Sequence, residues 1–344
     1  MRLQNCVPPL DTEVVQALCS VGVKTDSDLL LAGEPMDVFA KLAPGHGIGL
    51  KTFNEIVAQV AQLAAAVPVY ADKAFQLETK LTEEVLDDGV LLELPELDNL
   101  LGGFGPPRVI EFSGDTGSGK TALALHMAIR HLSFVDDSTV LWIDSSGEFS
   151  AERVSTIIPR MEGPYSATAL QRLQVSLAFD IEAVHGVLES LRQSISTAHN
   201  EGYKVPRLVI IDTIASLLGP MLSATSSQGH AVMTTFMRQL RALAELSPLT
   251  VIVINSSTRL EPRNPESRNS EAVFEMRRKP TLGPSFTFLT DATLWLSRRD
   301  PDASGESRAG DESTLHTAEV LRSRITRSKT WACFRIRNGL VVEA

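Results

Sequence analysis

The chain has 344 residues, 43% of them hydrophobic and only 6% aromatic, enough for about two domains with largely aliphatic cores. Its formal charge of −10 excludes nucleic-acid binding through bulk positive charge. Cys6, Cys19 and Cys333 lack metal-ligand spacing, which excludes a zinc site or a disulfide framework and fits a reducing compartment. The N-terminus, MRLQNCVPPL, has no apolar signal core, and no later run approaches the roughly 18 apolar residues of a membrane span. The expectation is a soluble protein with no membrane partner.

Residues 1–67 read as a small helical domain. Asp11 is placed to cap a helix through Val14, Val15 and Leu18, and Val38, Leu42, Phe53, Ile56, Val57 and Val60 recur at helical spacing. Between them, Pro44–Leu50 carries three glycines, a turn compatible either with a helix-hairpin-helix or with an ordinary helical connection. The segment holds four Lys/Arg against seven Asp/Glu, which weakens a DNA reading of that turn. Residues 68–88 form an acidic linker with some helical content. From Tyr70 to Asp98 there are nine acids and two lysines.

Residues 89–344 read as an α/β core. Val109–Phe112, Val140–Ile143, Leu208–Ile211, Val251–Ile254 and Thr293–Leu296 are apolar runs of buried-strand length. Helical patterns at Ala122–Leu132, Ile181–Ile195 and Ala231–Leu246 alternate with several of them, predicting a mostly parallel sheet covered on both faces. Arg259–Pro280 and Pro301–Thr314 are polar and read as long loops. Six basic residues, Arg322, Arg324, Arg327, Lys329, Arg335 and Arg337, interleave with apolar ones in a strand-like stripe.

The first apolar run leads into Gly114-Asp115-Thr116-Gly117-Ser118-Gly119-Lys120-Thr121, which satisfies G-x-x-x-x-G-K-[ST] and precedes a helix. Backbone N–H groups of such a loop curl around phosphate oxygens, and the helix N-terminus adds positive potential. Lys120 is expected on the β- and γ-phosphates and the Thr121 hydroxyl on Mg²⁺. Asp212 ends the third run and is placed to hold Mg²⁺ through water. The predicted ligands are therefore ATP and Mg²⁺.

Further stretches carry a family resemblance. Leu97-Asp98-Asn99-Leu100-Leu101-Gly102-Gly103 resembles the core entry of eukaryotic RecA-type strand-exchange recombinases and their paralogues. Leu173-Gln174-Val175, Ala178-Phe179-Asp180-Ile181, Gly219-Pro220-Met221-Leu222 and Leu282-Gly283-Pro284-Ser285-Phe286 are most like the D-type paralogue. The resemblance implies a RecA-like P-loop ATPase core behind a helix-hairpin-helix-like N-terminal domain. Active members carry a water-activating glutamate where Asp144-Ser145-Ser146-Gly147 places Ser146, and a serine hydroxyl is a poor base near neutral pH. Glu148 is displaced from that place by roughly 7 Å in an extended backbone. Members also place a phosphate-sensing glutamine where Ser256 follows Asn255. The D-type paralogue departs at both places.

The same resemblance implies two DNA-facing loops. The first, near Leu222–His230, has no Lys or Arg. The second, Ser256 to about Leu282, has Arg259, Arg263, Arg268, Arg277, Arg278 and Lys279 against four glutamates. Of these, Arg259, Arg263, Arg277, Arg278 and Lys279 are the expected contacts with single-stranded DNA. The family's linker docking motif, an aromatic followed three residues later by alanine, has no clean copy here, since Phe75 is followed by Glu78. The implied function is a nuclear, ATP-binding recombination mediator in homologous-recombination repair. Its partners would be other recombinase paralogues and a strand-exchange recombinase, and its own ATP hydrolysis would be weak. An active, filament-forming recombinase and a RecA-fold ATPase outside recombination are the alternatives.

Overall fold

The structure is a computed structural model. It describes residues 2–6, 8–31, 33–42, 47–65, 68–76, 79, 92–105, 107–201, 205–222, 227–259, 278–299 and 313–344. The chain divides into two compact units, Met1–Lys80 with Met221–Phe236, and Leu81–Pro220 with Met237–Ala344.

In the first unit, α1 (Thr12–Ser20), α2 (Asp26–Leu31), α3 (Pro35–Lys41) and α4 (Leu50–Ala64) follow the apolar periodicity. The Asp11 carboxylate accepts the Glu13 amide at 2.8 Å, a cap worth about 1 kcal/mol. Pro35 starts α3, where its fixed φ and missing N–H are harmless. Leu18, Leu29, Val38, Phe53 and Val60 form the centre of a small apolar core. The Pro44–Leu50 turn lies partly outside the described residues. Residues 71–76 of the linker are helical.

The second unit is built on a nine-stranded sheet in the order β11-β10-β9-β8-β1-β5-β4-β2-β3. The strands are β1 (Arg108–Gly114), β2 (Thr139–Asp144), β3 (Leu173–Leu177), β4 (Pro206–Asp212), β5 (Thr250–Asn255), β8 (Ala292–Arg298), β9 (Thr314–Ser323), β10 (Trp331–Arg337) and β11 (Leu340–Glu343). From β8 to β3 every pairing is parallel, and β9 to β11 add antiparallel. Ile110, Phe112, Trp142, Ile210 and Ile254 join one core with residues of α5 (Pro95–Leu101), α6 (Lys120–Phe134) and α7 (Ala151–Ile157). Their strand neighbours Val109, Ile143, Val209, Ile211, Val251 and Val253 are fully buried on the opposite face. Burial on both faces explains why these strands read as continuous apolar runs rather than alternating ones.

A separate two-stranded antiparallel sheet, β6 (Ser257–Arg259) with β7 (Arg278–Pro280), lies within the segment read as a loop. Only its two ends belong to the described residues. No helix among the described residues is long and apolar enough to cross a membrane.

Candidate functional site: a phosphate-binding loop at the carboxyl ends of the strands

Parallel strands deliver their carboxyl ends to one edge of the sheet, where α/β proteins bind ligands. Here β1 ends at Gly114 and α6 begins at Lys120, so the eight-residue motif spans a strand–loop–helix turn. Gly114 has φ 152°, and a Cβ there would lie 2.2 Å from the Leu296 carbonyl oxygen and 2.8 Å from Ser118 Oγ. Only glycine permits that approach. Gly119, at φ 97°, is closed from below by Ile336 and His316. Lys120 folds over the loop, and its Nζ donates to the carbonyls of Gly114 at 2.9 Å and Asp115 at 2.7 Å. Burial pushes its pKa down, against the pull of Asp212 and Asp115.

The Thr121 hydroxyl donates to Asp212 Oδ2 at 3.0 Å. Strand β4 carries this carboxylate to the position the motif needs for a cation between protein and phosphate. Burial raises the Asp212 pKa to about 6. The Thr121 hydroxyl and Lys120 oppose the rise, while Asp144 and Glu148 add to it. A buried acid that resists ionisation unless a cation arrives fits Mg²⁺, and an N–H cradle with a lysine fits phosphate.

Asp144 is the register partner of Asp212 across β2 and β4. It is not poised as a base. Its Oδ1 accepts the amides of Ser146 at 2.9 Å and Gly147 at 2.8 Å and the Ser146 hydroxyl at 3.0 Å. Its Oδ2 accepts the Phe149 amide at 2.9 Å. Burial alone would raise the Asp144 pKa, but these hydrogen bonds outweigh it and hold the carboxyl below its usual range. Ser146 Oγ is a donor to this turn. Glu148 is exposed.

A family model described as an AAA domain matches residues 74–259, more than half of the chain. The DNA repair protein RAD51 homolog 4 of Bos taurus is 30% identical over 300 residues, covering 86% of this chain and 85% of that protein. This chain belongs to the RAD51 homolog 4 family. The protein of that name from Mus musculus is 28% identical over 292 residues, covering 84% of this chain and 82% of that one. Among solved structures, the RadB recombinase crystal structure aligns with a TM-score of 0.50 at 22% identity, over 72% of this chain and 96% of that one. That likeness places the fold with RecA/RadB-type cores.

Within this RAD51 homolog 4 member, the P-loop and Asp212 come together. The residues read as DNA contacts are only partly within view. Arg263 and Arg277 lie outside the described residues. Arg259 pairs with Arg278 across β6 and β7, and Lys279 pairs with Thr258. Lys279 is exposed, but the Arg278 guanidinium lies 2.5 Å from Asp115 of the P-loop. In the C-terminal stripe, Arg322 donates to the Thr287 and Thr290 carbonyls, and Arg324 donates to that of Phe288.

Three supports of the site escaped the sequence reading. His316 on β9 is 2% exposed, stacks on Phe334 and binds the Ser118 carbonyl at 3.0 Å through Nδ1. Glu111, fully buried in β1, accepts from Asn255 Nδ2 at 2.7 Å and Thr293 Oγ1 at 2.8 Å, and burial raises its pKa. Ser257 donates through Oγ to Asp115. For Glu111 the available signal was a lone acid inside an apolar strand run, which needs partners from the strands beside it.

Proposed function

We propose that this chain is an ATP-binding recombination mediator in homologous-recombination repair. It would bind Mg-ATP as an assembly ligand and hydrolyse it weakly. It would work in the nucleus, in a heteromeric complex with other recombinase paralogues, assisting a strand-exchange recombinase on single-stranded DNA. The relatives' naming as DNA repair proteins supports the setting. In this reading residues 1–67, 68–88 and 89–344 act as helical domain, acidic linker and ATPase core.

The observation that carries the reading is the contrast between the two halves of the nucleotide site. The Gly114–Thr121 loop would hold the phosphates. Lys120 would neutralise β- and γ-oxygens, and Thr121 with Asp212 would hold Mg²⁺. Bound Mg²⁺ would neutralise phosphate charge. The place for water activation holds Ser146, whose hydroxyl donates to Asp144 instead of accepting a proton. General-base assistance, typically worth about 10²–10⁴-fold, is thus missing from the chain itself.

An exposed apolar edge among the described residues is compatible with the assembly part of this reading. β3 is an edge strand, and Leu170, Val175, Leu177 and Phe179 around it are 45, 40, 62 and 63% exposed. Unpaired edges carrying apolar side chains are where another chain adds a strand.

A single preparation tests the proposal. Wild-type protein should bind a fluorescent ATP analogue, Lys120→Ala should weaken that binding by about ten-fold or more, and steady-state turnover should be slow. Extended homofilaments of the chain alone on single-stranded DNA with ATP, seen by electron microscopy, would overturn it.

A further inference from the structure

Asp115 is the only acid in the Gly114–Thr121 loop. An ionised carboxylate in a phosphate cradle opposes the ligand, because like charges at a few ångströms repel strongly in a partly desolvated site. The groups around this one favour its ionised form. Burial would raise its pKa, but Ser257, Arg278 and Lys120 together hold it below its usual range. Two of those groups come from far along the chain. Asp115 Oδ1 accepts from Ser257 Oγ on β6 and pairs with Arg278 Nη1 on β7 at 2.5 Å.

The placement follows from the topology. β6 begins two residues after Asn255, the last residue of β5, and β5 pairs with β1 beside the P-loop. Ser257 pairs with Pro280 and Arg259 with Arg278, and the Thr281 amide donates to the Ser256 carbonyl at 2.9 Å. The two-stranded sheet is therefore fixed at the carboxyl end of β5, with Arg278 against the P-loop. Strand alternation sends the next side chain, Lys279, to the other face, where it is exposed. Two adjacent cations that read alike in the sequence have different surroundings.

We propose that Arg278 is a positioning residue of the nucleotide site: with Ser257 it neutralises and holds Asp115, so the P-loop accepts a polyphosphate and its occupancy is linked to the β6–β7 sheet. This rests on the P-loop binding ATP. Arg278 acts through Asp115 and not by touching phosphate.

A double-mutant cycle on the full-length chain tests this. Affinity for a fluorescent ATP analogue is titrated in wild type, Arg278→Ala, Arg278→Lys, Asp115→Asn and the Asp115→Asn/Arg278→Ala double variant. Thermal melts of the nucleotide-free proteins accompany each titration. Arg278→Ala leaves Asp115 without its guanidinium partner and should weaken binding about ten-fold, whereas Arg278→Lys and the double variant should stay within about three-fold of wild type. The loss should shrink as salt rises. An Arg278→Ala affinity within about two-fold of wild type overturns the proposal, as does a loss of equal size in the Asp115→Asn background, whatever the melts show. If wild type and Lys120→Ala bind the analogue equally poorly, the nucleotide site itself has failed, which is a different result.

Discussion

Asp212→Asn should make the nucleotide-free protein more stable while damaging its Mg²⁺-dependent nucleotide binding. The carboxyl is 9% exposed, and burial is the first cause of its raised pKa. Asp144 and Glu148 push the same way, against the Thr121 hydroxyl and Lys120. A rise from 3.8 to about 6 corresponds to about 3 kcal/mol. The folded chain holds this proton more tightly than the unfolded chain does. The contribution to stability is therefore complete below 3.8 and is lost as pH rises through about 6. Asparagine keeps the shape, can still accept from Thr121, and carries no charge to desolvate. Urea titrations in EDTA, without nucleotide, should show the variant more stable by about 3 kcal/mol near pH 7.5 and equal to wild type near pH 4. Trp142, Trp295 and Trp331, the three tryptophans of the chain, all lie in the sheet unit, so their fluorescence follows that unit alone. A variant less stable at neutral pH, or a difference that does not change with pH, would refute the reasoning.

Ser146→Ala should leave analogue binding and turnover within about two-fold of wild type, because the hydroxyl is a donor to Asp144. Ser146→Glu should raise turnover, and a ten-fold fall in Ser146→Ala, measured by phosphate release, would mark the serine as catalytic. His126 gives an acid-lability prediction. It is 5% exposed, and its Nδ1 accepts the Val341 amide at 3.2 Å. Burial, with Arg130 assisting and the Leu92 backbone opposing, lowers its pKa from 6.5 to about 4, so its neutral form is part of the fold. That stability is present above 6.5 and falls by about 3 kcal/mol as pH drops toward 4. His126→Asn should flatten this slope in urea titrations, and an unchanged slope would assign the acid sensitivity elsewhere.

The central strands and the P-loop were legible because each carries a local signal. Val109–Phe112, Leu208–Ile211 and Val251–Ile254 are apolar runs whose pattern is set by burial on both faces, and the loop motif is contiguous. Asp212 was legible through position, at the end of such a run. β3 was not predicted as a strand. Its LQVSL sequence is half exposed at a sheet edge, so burial imposes no pattern on it. β6 and β7 are three residues each and sit within polar sequence, with a register that only the fold creates. The Ser257–Asp115 contact joins residues 142 apart. No spacing rule reaches that far, and a basic residue such as Arg278 looks the same in sequence whether it faces phosphate or a carboxylate. His316 was silent for the same reason, since its partner Ser118 is 198 residues away.

The phosphate loop and the position proposed for water activation sit on different strands, so on the proposed reading one could be lost without the other. The P-loop leaves β1, and Asp212, the carboxylate proposed to hold Mg²⁺, ends β4. The position where the family resemblance places a water-activating glutamate, Ser146 here, follows β2. There the turn is shaped by Asp144, which accepts three backbone amides, from Ser146, Gly147 and Phe149. Those bonds do not depend on which side chain stands at position 146. The Ser145 hydroxyl meanwhile ties the end of β2 to the end of β4 through the Thr213 carbonyl at 2.8 Å. A serine in place of a glutamate at 146 would therefore take a base from an exposed position and leave the backbone that places Asp212 intact. On the proposed reading, a chain built this way would keep its affinity for Mg-ATP without the means to consume it, which is what an assembly ligand requires.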